Sequence, residues 1–182
     1  MNGDPGHSAD FLLLVLRFTL AVVFLAHGWN HVFGGGRIPG TARWFESLGM
    51  RPGRLHAWLA SITELGAGAL LLLGLLTPLA SAALLGTMVV ALVTNHLKNG
   101  FFIFRPGEGY EYVLVLSVCA VVIGGWGAGA FSLDHALGIL GGGWWQTIAT
   151  AALGLGGGAL LLVMFWRPDR TAVSAPAGSA AS

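Results

Sequence analysis

Charge is what this sequence has least of. Only 9% of its 182 residues are Asp, Glu, Lys or Arg, where a soluble domain carries about 25%. So few charges cannot cover a water-soluble protein of this size, but a surface facing lipid does not need them. Cysteine is scarcer still. Cys119 stands alone, which excludes an intramolecular disulfide, a CxxC redox pair and a cysteine-rich metal site within the chain. A buried thiol is its plain reading. The net charge of +1 and the lack of a long basic run argue against nucleic acid as a partner. The leader Met1–Asp10 holds Asp4 and Asp10 but no Lys or Arg, so it lacks the basic flank of a secretion signal. The apolar run that follows, Phe11–Phe33, is also too long for one and is expected to be a retained helix.

Hydrophobic residues, by contrast, make up 55%. They gather into five stretches: Phe11–Phe33, Leu55–Leu76, Pro78–His96, Tyr110–Trp126 and Thr147–Trp166. A membrane-crossing helix needs roughly 17–25 residues, so the expected fold class is all-α, a polytopic transmembrane helix bundle with the lipid bilayer as its first partner. Thr77-Pro78 makes a tight reversal between the second and third spans, since the first helical turn needs no backbone donor. The fourth span is short, with room to extend into Gly124–Gly129. Trp29, Trp44, Trp58, Trp126, Trp144, Trp145 and Trp166 fall mostly near span ends, as an interfacial aromatic belt does. Gly66, Gly68, Gly154 and Gly156–Gly158 are expected to let helices approach closely. In the first loop, Trp44, Phe45 and Leu48 repeat at helical spacing over Thr41–Leu48 and Gly49 can end the turn, so a short interfacial helix is expected. In the fourth loop Ser132 can cap a turn at Leu133–Leu140.

Basic residues set the direction. Arg17 lies inside the first span. The others fall in three places: Arg37, Arg43, Arg51 and Arg54 around the first loop, Lys98 and Arg105 in the third, and Arg167 and Arg170 in the tail. Five spans put all three on one side, whereas four would place the tail opposite the third loop. The positive-inside rule makes that side cytoplasmic, with the N-terminus outside and the C-terminus inside. The expected organisation is a short extracytoplasmic N-terminus at 1–10, a main bundle over 11–134, an outer loop and an additional transmembrane helix over 135–166, and a disordered cytoplasmic tail at 167–182.

An ionisable group inside a span costs about 2.5–3.5 kcal/mol on insertion scales, so each one merits a functional hypothesis. The residues singled out are Arg17, His27, His31, Glu64 and His96, with Lys98, Glu108 and Glu111 at the margin. The topology brings His27, His31, Glu64, His96 and Glu111 into the cytoplasmic half of the bundle, and these five are the candidate catalytic residues. His27 and His31 are i and i+4, so they share a face. That spacing alone is weak evidence for a metal, and no metal site is assigned. Glu64 shares its face with Ala57, Ala60, Ser61, Ala67 and Gly68; such small-residue stripes face other helices, so Glu64 is expected to point inward. Its simplest role is to carry a proton or to hydrogen-bond a histidine or a bound headgroup. Arg17 reads as a snorkelling or pairing residue near the outer leaflet.

The same residues carry a family likeness. Ala26-His-Gly-Trp-Asn-His-Val-Phe-Gly34, Leu48-Gly-Met-Arg-Pro52, Glu64-Leu-Gly66, Gly74-Leu-Leu-Thr-Pro78, His96-Leu-Lys-Asn-Gly-Phe-Phe102 with Glu108-Gly-Tyr-Glu-Tyr112, and Gly127-Ala-Gly-Ala-Phe-Ser-Leu-Asp134 occur in the order seen in the DoxX family of bacterial integral membrane proteins. The chain resembles that family over roughly 11–134. The resemblance implies a four-helix membrane core in the bacterial cytoplasmic membrane, to which the span at Thr147–Trp166 is an addition. It also implies a link to quinone-dependent oxidation of thiosulfate or thiols, or to membrane complexes that handle oxidative stress. With Cys119 alone, thiol chemistry would need a partner protein.

Three functions compete at this stage. One is a redox subunit, in which the histidines and Glu64 hold a quinone headgroup or relay its protons while a soluble redox protein at the cytoplasmic face supplies electrons. Another is a non-catalytic scaffold that tethers soluble proteins through the arginine-rich loop. The third is a small transporter or proton conductor, ranked last because no inverted repeat or broken-helix pair is evident. No phosphate-binding glycine loop, nucleotide fingerprint or CxxCH haem motif is present, so the sequence names no cofactor beyond the quinone that the resemblance suggests.

Overall fold

Each apolar stretch forms a helix, and the helices alternate in direction. The structure is a computed structural model that describes residues 5–139 and 141–168. Its helices are α1 (Pro5–Phe33), α2 (Arg37–Ser47), α3 (Gly53–Leu73), α4 (Thr77–Ala91), α5 (Glu111–Trp126), α6 (Leu133–Leu137) and α7 (Trp144–Phe165). The last turns of α4 widen into a π-turn over Leu92–His96 and tighten over Leu97–Asn99. Four segments are long and apolar enough to cross a membrane: His7–Phe33, Gly53–Leu73, Thr77–Asn99 and Trp144–Phe165. The fifth apolar helix, α5, is shorter at 16 residues, about 24 Å at 1.5 Å per residue. The molecule is an all-α membrane bundle.

Several boundaries differ from expectation. The first helix begins at Pro5, inside the segment expected to precede it. The fourth runs through Gly124 and Gly125 but stops at Trp126, because Gly127 and Gly129 take φ of 95° and 75° and turn the chain out of helix. The first-loop helix is longer than Thr41–Leu48. It buries Ile38 and Phe45 and leaves Trp44 exposed. Trp166, at the end of α7, is half-buried, and its Nε1 donates to the Leu48 carbonyl at 3.0 Å. Of the expected disordered tail, Arg167 is tied to the first loop, and the part from residue 169 on, Arg170 included, lies outside the described residues.

In lipid, helices gain little from hiding apolar surface and associate through close packing. Gly68 of α3 stands against Ala21 and Leu25 of α1, while Gly28 of α1 stands against Leu65, so these two helices run antiparallel. Gly154 and Gly158 of α7 stand against Leu85, Gly86 and Val89 of α4, and those two run parallel. Gly66, Gly156 and Gly157, also expected at close contacts, have open space where a Cβ would point. α1, α3, α4 and α5 enclose a core that includes Leu20, Phe24, Leu71, Leu84 and Ile123, with half-buried Cys119 packed against it. α7 lies against α4 and α5.

The two ends of the bundle are tied differently. At the end holding the first loop, Met50 and Trp166 form an antiparallel bridge. Arg51 N–H donates to Phe165 O at 3.1 Å and Arg167 N–H donates to Gly49 O at 2.7 Å. The end of α7 therefore sits beside the first loop, as five alternating spans require. At the opposite end, the segment after α5 folds over the helix tips. Buried Arg17 donates to the carbonyls of Ala128 and Phe131, and Asp10 Oδ1 accepts from Ala130 N–H at 2.9 Å. Asp134 accepts from the N–H groups of Leu76 and Thr77 at 2.7 and 2.9 Å, capping α4. Ser132 caps α6 by accepting from His135 N–H. Arg17 is thus a buried pairing residue that serves architecture.

Candidate functional site

Four of the five residues singled out as candidates line one cavity of about 570 Å³. His27, His31, Glu64 and His96 all line it, and its remaining walls are largely aliphatic and aromatic. The site follows from three local features. α1 ends at Phe33 and is followed by the turn Gly34–Gly36, so His27 and His31 fall in its last two turns, one above the other. α2 then folds back beneath α1 and packs on α3, its approach permitted by Gly53, where any Cβ would meet the Ala42 carbonyl oxygen at 2.2 Å. α3 therefore runs below the end of α1. Glu64 lies 11 residues along α3, on the order of 17 Å from its start, yet at the level of His31.

His31 Nδ1 and Glu64 Oε2 are 3.2 Å apart, with side chains only 16% and 6% exposed. Their mutual orientation does not make a hydrogen bond, and neither atom has another hydrogen-bond partner. The pair is close, buried and unsatisfied, an arrangement that costs free energy unless something else completes it. Glu64 emerges from the buried stripe expected for it: Ala57, Ser61, Ala67 and Gly68 are buried on the same face.

The two other histidines are held differently. His27 Nδ1 faces the Val23 carbonyl at 2.9 Å. A carbonyl only accepts, so Nδ1 carries the proton and, in the neutral ring, Nε2 is an acceptor. His96 Nδ1 donates to Glu108 O at 3.0 Å, and its Nε2 is 3.3 Å from Asn95 Nδ2. Both ring nitrogens are engaged, which fixes the ring at the mouth of the third loop. Asn99 pins that loop by donating to the Gly107 and Glu108 carbonyls. The π-turn that carries His96 is a form common near functional sites.

Glu111 does not reach the cavity; Glu108 and Tyr112 line it instead. α5 begins at Glu111 and turns Tyr112, Val113 and Leu116 toward the cavity, which leaves position 111 about 100° away. Sequence reasoning misses His56 altogether. It is 3% exposed, lines the cavity, and packs between Phe45 and Phe165 with ring centroids 6.1 and 5.1 Å away. Its ring hydrogen-bonds to the Arg51 backbone, while Nε2 has no partner. The available signal was a histidine at the second position of the apolar stretch Leu55–Leu76.

Comparison with known proteins agrees with this architecture. The DoxX family model matches residues 12–97. Over 94 residues the chain is 31% identical to the inner membrane protein YphA of Escherichia coli strain K12, a match covering 51% of this chain and 65% of that protein. The chain thus spans somewhat less than two thirds of that relative's length. No solved structure matches. The matched segment carries His27, His31, His56, Glu64 and His96, whereas α5 and α7 lie beyond it.

Proposed function

Through residues 12–97 the chain belongs to the DoxX family of bacterial integral membrane proteins, and on that premise we propose that it is the membrane subunit of a quinone-linked redox system. The observation that carries the proposal is the His31–Glu64 pair: two proton-exchanging groups 3.2 Å apart, buried and unsatisfied, facing a cavity. The residues fit a quinone headgroup. Its carbonyl oxygens need donors in an otherwise apolar site, and a volume of about 570 Å³ falls within the roughly 300–1,000 Å³ of small-molecule sites.

A bound quinone would supply the capacity to take up electrons together with protons. The chain's own residues do the rest. Glu64 Oε2 and His31 Nδ1 hold and exchange a proton beside the headgroup. His96, fixed by Glu108 and Asn95, orients one wall. The apolar lining keeps water away, which strengthens each polar contact. Electrons come from a soluble redox partner at the basic end of the bundle, which the charge pattern assigns to the cytoplasm. Arg37, Arg43, Arg51, Arg54, Lys98, Arg105 and Arg167 are all exposed there, a surface that suits an acidic partner and steers its approach.

The test is to purify the full chain in detergent, extract the bound lipids and assay quinone, then repeat with Glu64→Gln. Quinone should co-purify with the wild type and fall away in the variant. No quinone in the wild type, together with unchanged quinone reduction in Glu64→Gln membranes, would sink the proposal. Capture of a soluble partner by a protein that holds no quinone would move the reading to a scaffold on the same basic face.

A further inference from the structure

The cavity also reaches residues that the redox reading does not use. α3 and α7 both pack on α4, but a cleft remains between them. Its floor is α4 from Leu79 through Gly86 to Val90, and its walls are Thr63 of α3 and Leu153, Gly157 and Leu161 of α7. The three α7 residues recur at i, i+4 and i+8, so they form one face of that helix. The floor spans 12 residues, about 17 Å from first to last. Leu79 and Leu153, at the end far from the basic loops, are more than half exposed, at 54% and 60%. The cleft therefore opens sideways into the hydrocarbon.

Its other end is polar. His56, 3% exposed with Nε2 unpartnered, lines the same cavity, as does Glu64 Oε2. An apolar slot open to lipid at one end and ended by unsatisfied polar atoms at the other has the form of an amphiphile site. A phospholipid is a poor occupant, because its charged headgroup would have to leave water. A small neutral head on a single chain pays no such penalty and can satisfy His56 or Glu64.

We propose that the cleft between α3 and α7 receives the single apolar chain of a small-headed, neutral amphiphile, which enters from the bilayer and places its polar end among Glu64 and His56. On this view α7 builds one wall of the ligand site. The inference rests on the quinone reading only for the identity of the headgroup; the chain groove stands or falls separately.

Two neighbouring glycines give the test. A Cβ at Gly157 or at Gly156 meets open space, so neither substitution starts from a backbone clash, but only Gly157 lines the cleft. The full chain in nanodiscs is titrated with a benzoquinone bearing a decyl chain, the same benzoquinone bearing only a methyl group, and 4-decylphenol, with empty nanodiscs subtracted. Gly157→Leu should weaken both decyl probes by about tenfold and leave the methyl probe unchanged, while Gly156→Leu should change none. Decyl probes weakened no more by Gly157→Leu than by Gly156→Leu, or no binding of either decyl probe, would overturn the groove. Decylphenol binding that Gly157→Leu removes, without binding of either quinone, would keep the groove and remove the quinone. Equal binding of the two quinones in wild type and Gly157→Leu would do the reverse.

Discussion

The main-chain N–H of Arg167 donates to the carbonyl of Gly49 at 2.7 Å, tying the end of the last helix to the loop after α2. Trp166 reinforces the tie through its bridge to Met50 and its indole bond to Leu48. The C-terminal end of α7 and the first loop therefore occupy the same end of the bundle, which is the geometric form of the argument from basic residues.

Accessibility to a reagent follows from that tie. Single cysteines at exposed Arg43, Lys98 and Arg167 should react alike with a membrane-impermeant maleimide, and a cysteine at exposed Trp144 should react from the other side. If the basic end is cytoplasmic, the first three label only in lysed cells and Trp144→Cys labels in intact ones. Labelling of Lys98→Cys and Arg167→Cys from opposite sides would contradict the alternation. Labelling of all three basic positions in intact cells would invert the orientation while leaving the bundle untouched.

Asp134 predicts a graded loss of stability. Its two carboxylate oxygens accept from the N–H groups of Leu76 and Thr77, donors that no turn of α4 can satisfy. Losing such a cap costs about 0.5–2 kcal/mol. Asp134→Ala should therefore lower the midpoint of thermal unfolding in detergent, and Asp134→Asn, which keeps one acceptor, should lower it less. Arg17→Ala should act at the same end, because it leaves the carbonyls of Ala128 and Phe131 without their donor. Equal midpoints for wild type and Asp134→Ala would show that the cap carries no weight.

Much of this was legible in the sequence, for identifiable reasons. Hydropathy alone marks the five apolar helices, because backbone groups in lipid must be satisfied within each segment. The i,i+4 spacing of His27 and His31 and the small-residue stripe around Glu64 are one-dimensional signals of a three-dimensional convergence. Other features had no such signal. Arg17 bonds to carbonyls 111 and 114 residues away, and nothing local distinguishes that from snorkelling. Whether Glu111 lines the cavity was not legible, because α5 is largely apolar and its hydropathy cannot set its rotation; the neighbouring Tyr112 lines the cavity instead. His56 escaped notice beside the basic residues Arg51 and Arg54, although it is more deeply buried than His31. The closure of Phe165 over it depends on α7, more than 100 residues later.

The His31–Glu64 relationship predicts energetic coupling. If the two groups act as one proton-exchanging unit on a ligand, removing either should remove most of what both contribute. Residues in contact commonly couple by about 0.5–3 kcal/mol, whereas sites more than roughly 7–10 Å apart add independently. We expect His31→Ala and Glu64→Gln each to weaken binding of a decyl-chain quinone, and the double variant to bind no worse than the weaker single one. Asp134→Asn serves as the control. Its carboxylate caps α4 at the opposite end of the bundle, so any effect should add to that of Glu64→Gln. The measurement is a double-mutant cycle on equilibrium affinity in nanodiscs, run at one pH. Strict additivity between His31→Ala and Glu64→Gln would mean that the 3.2 Å approach has no consequence for binding, and the pair would then be a feature of helix packing alone.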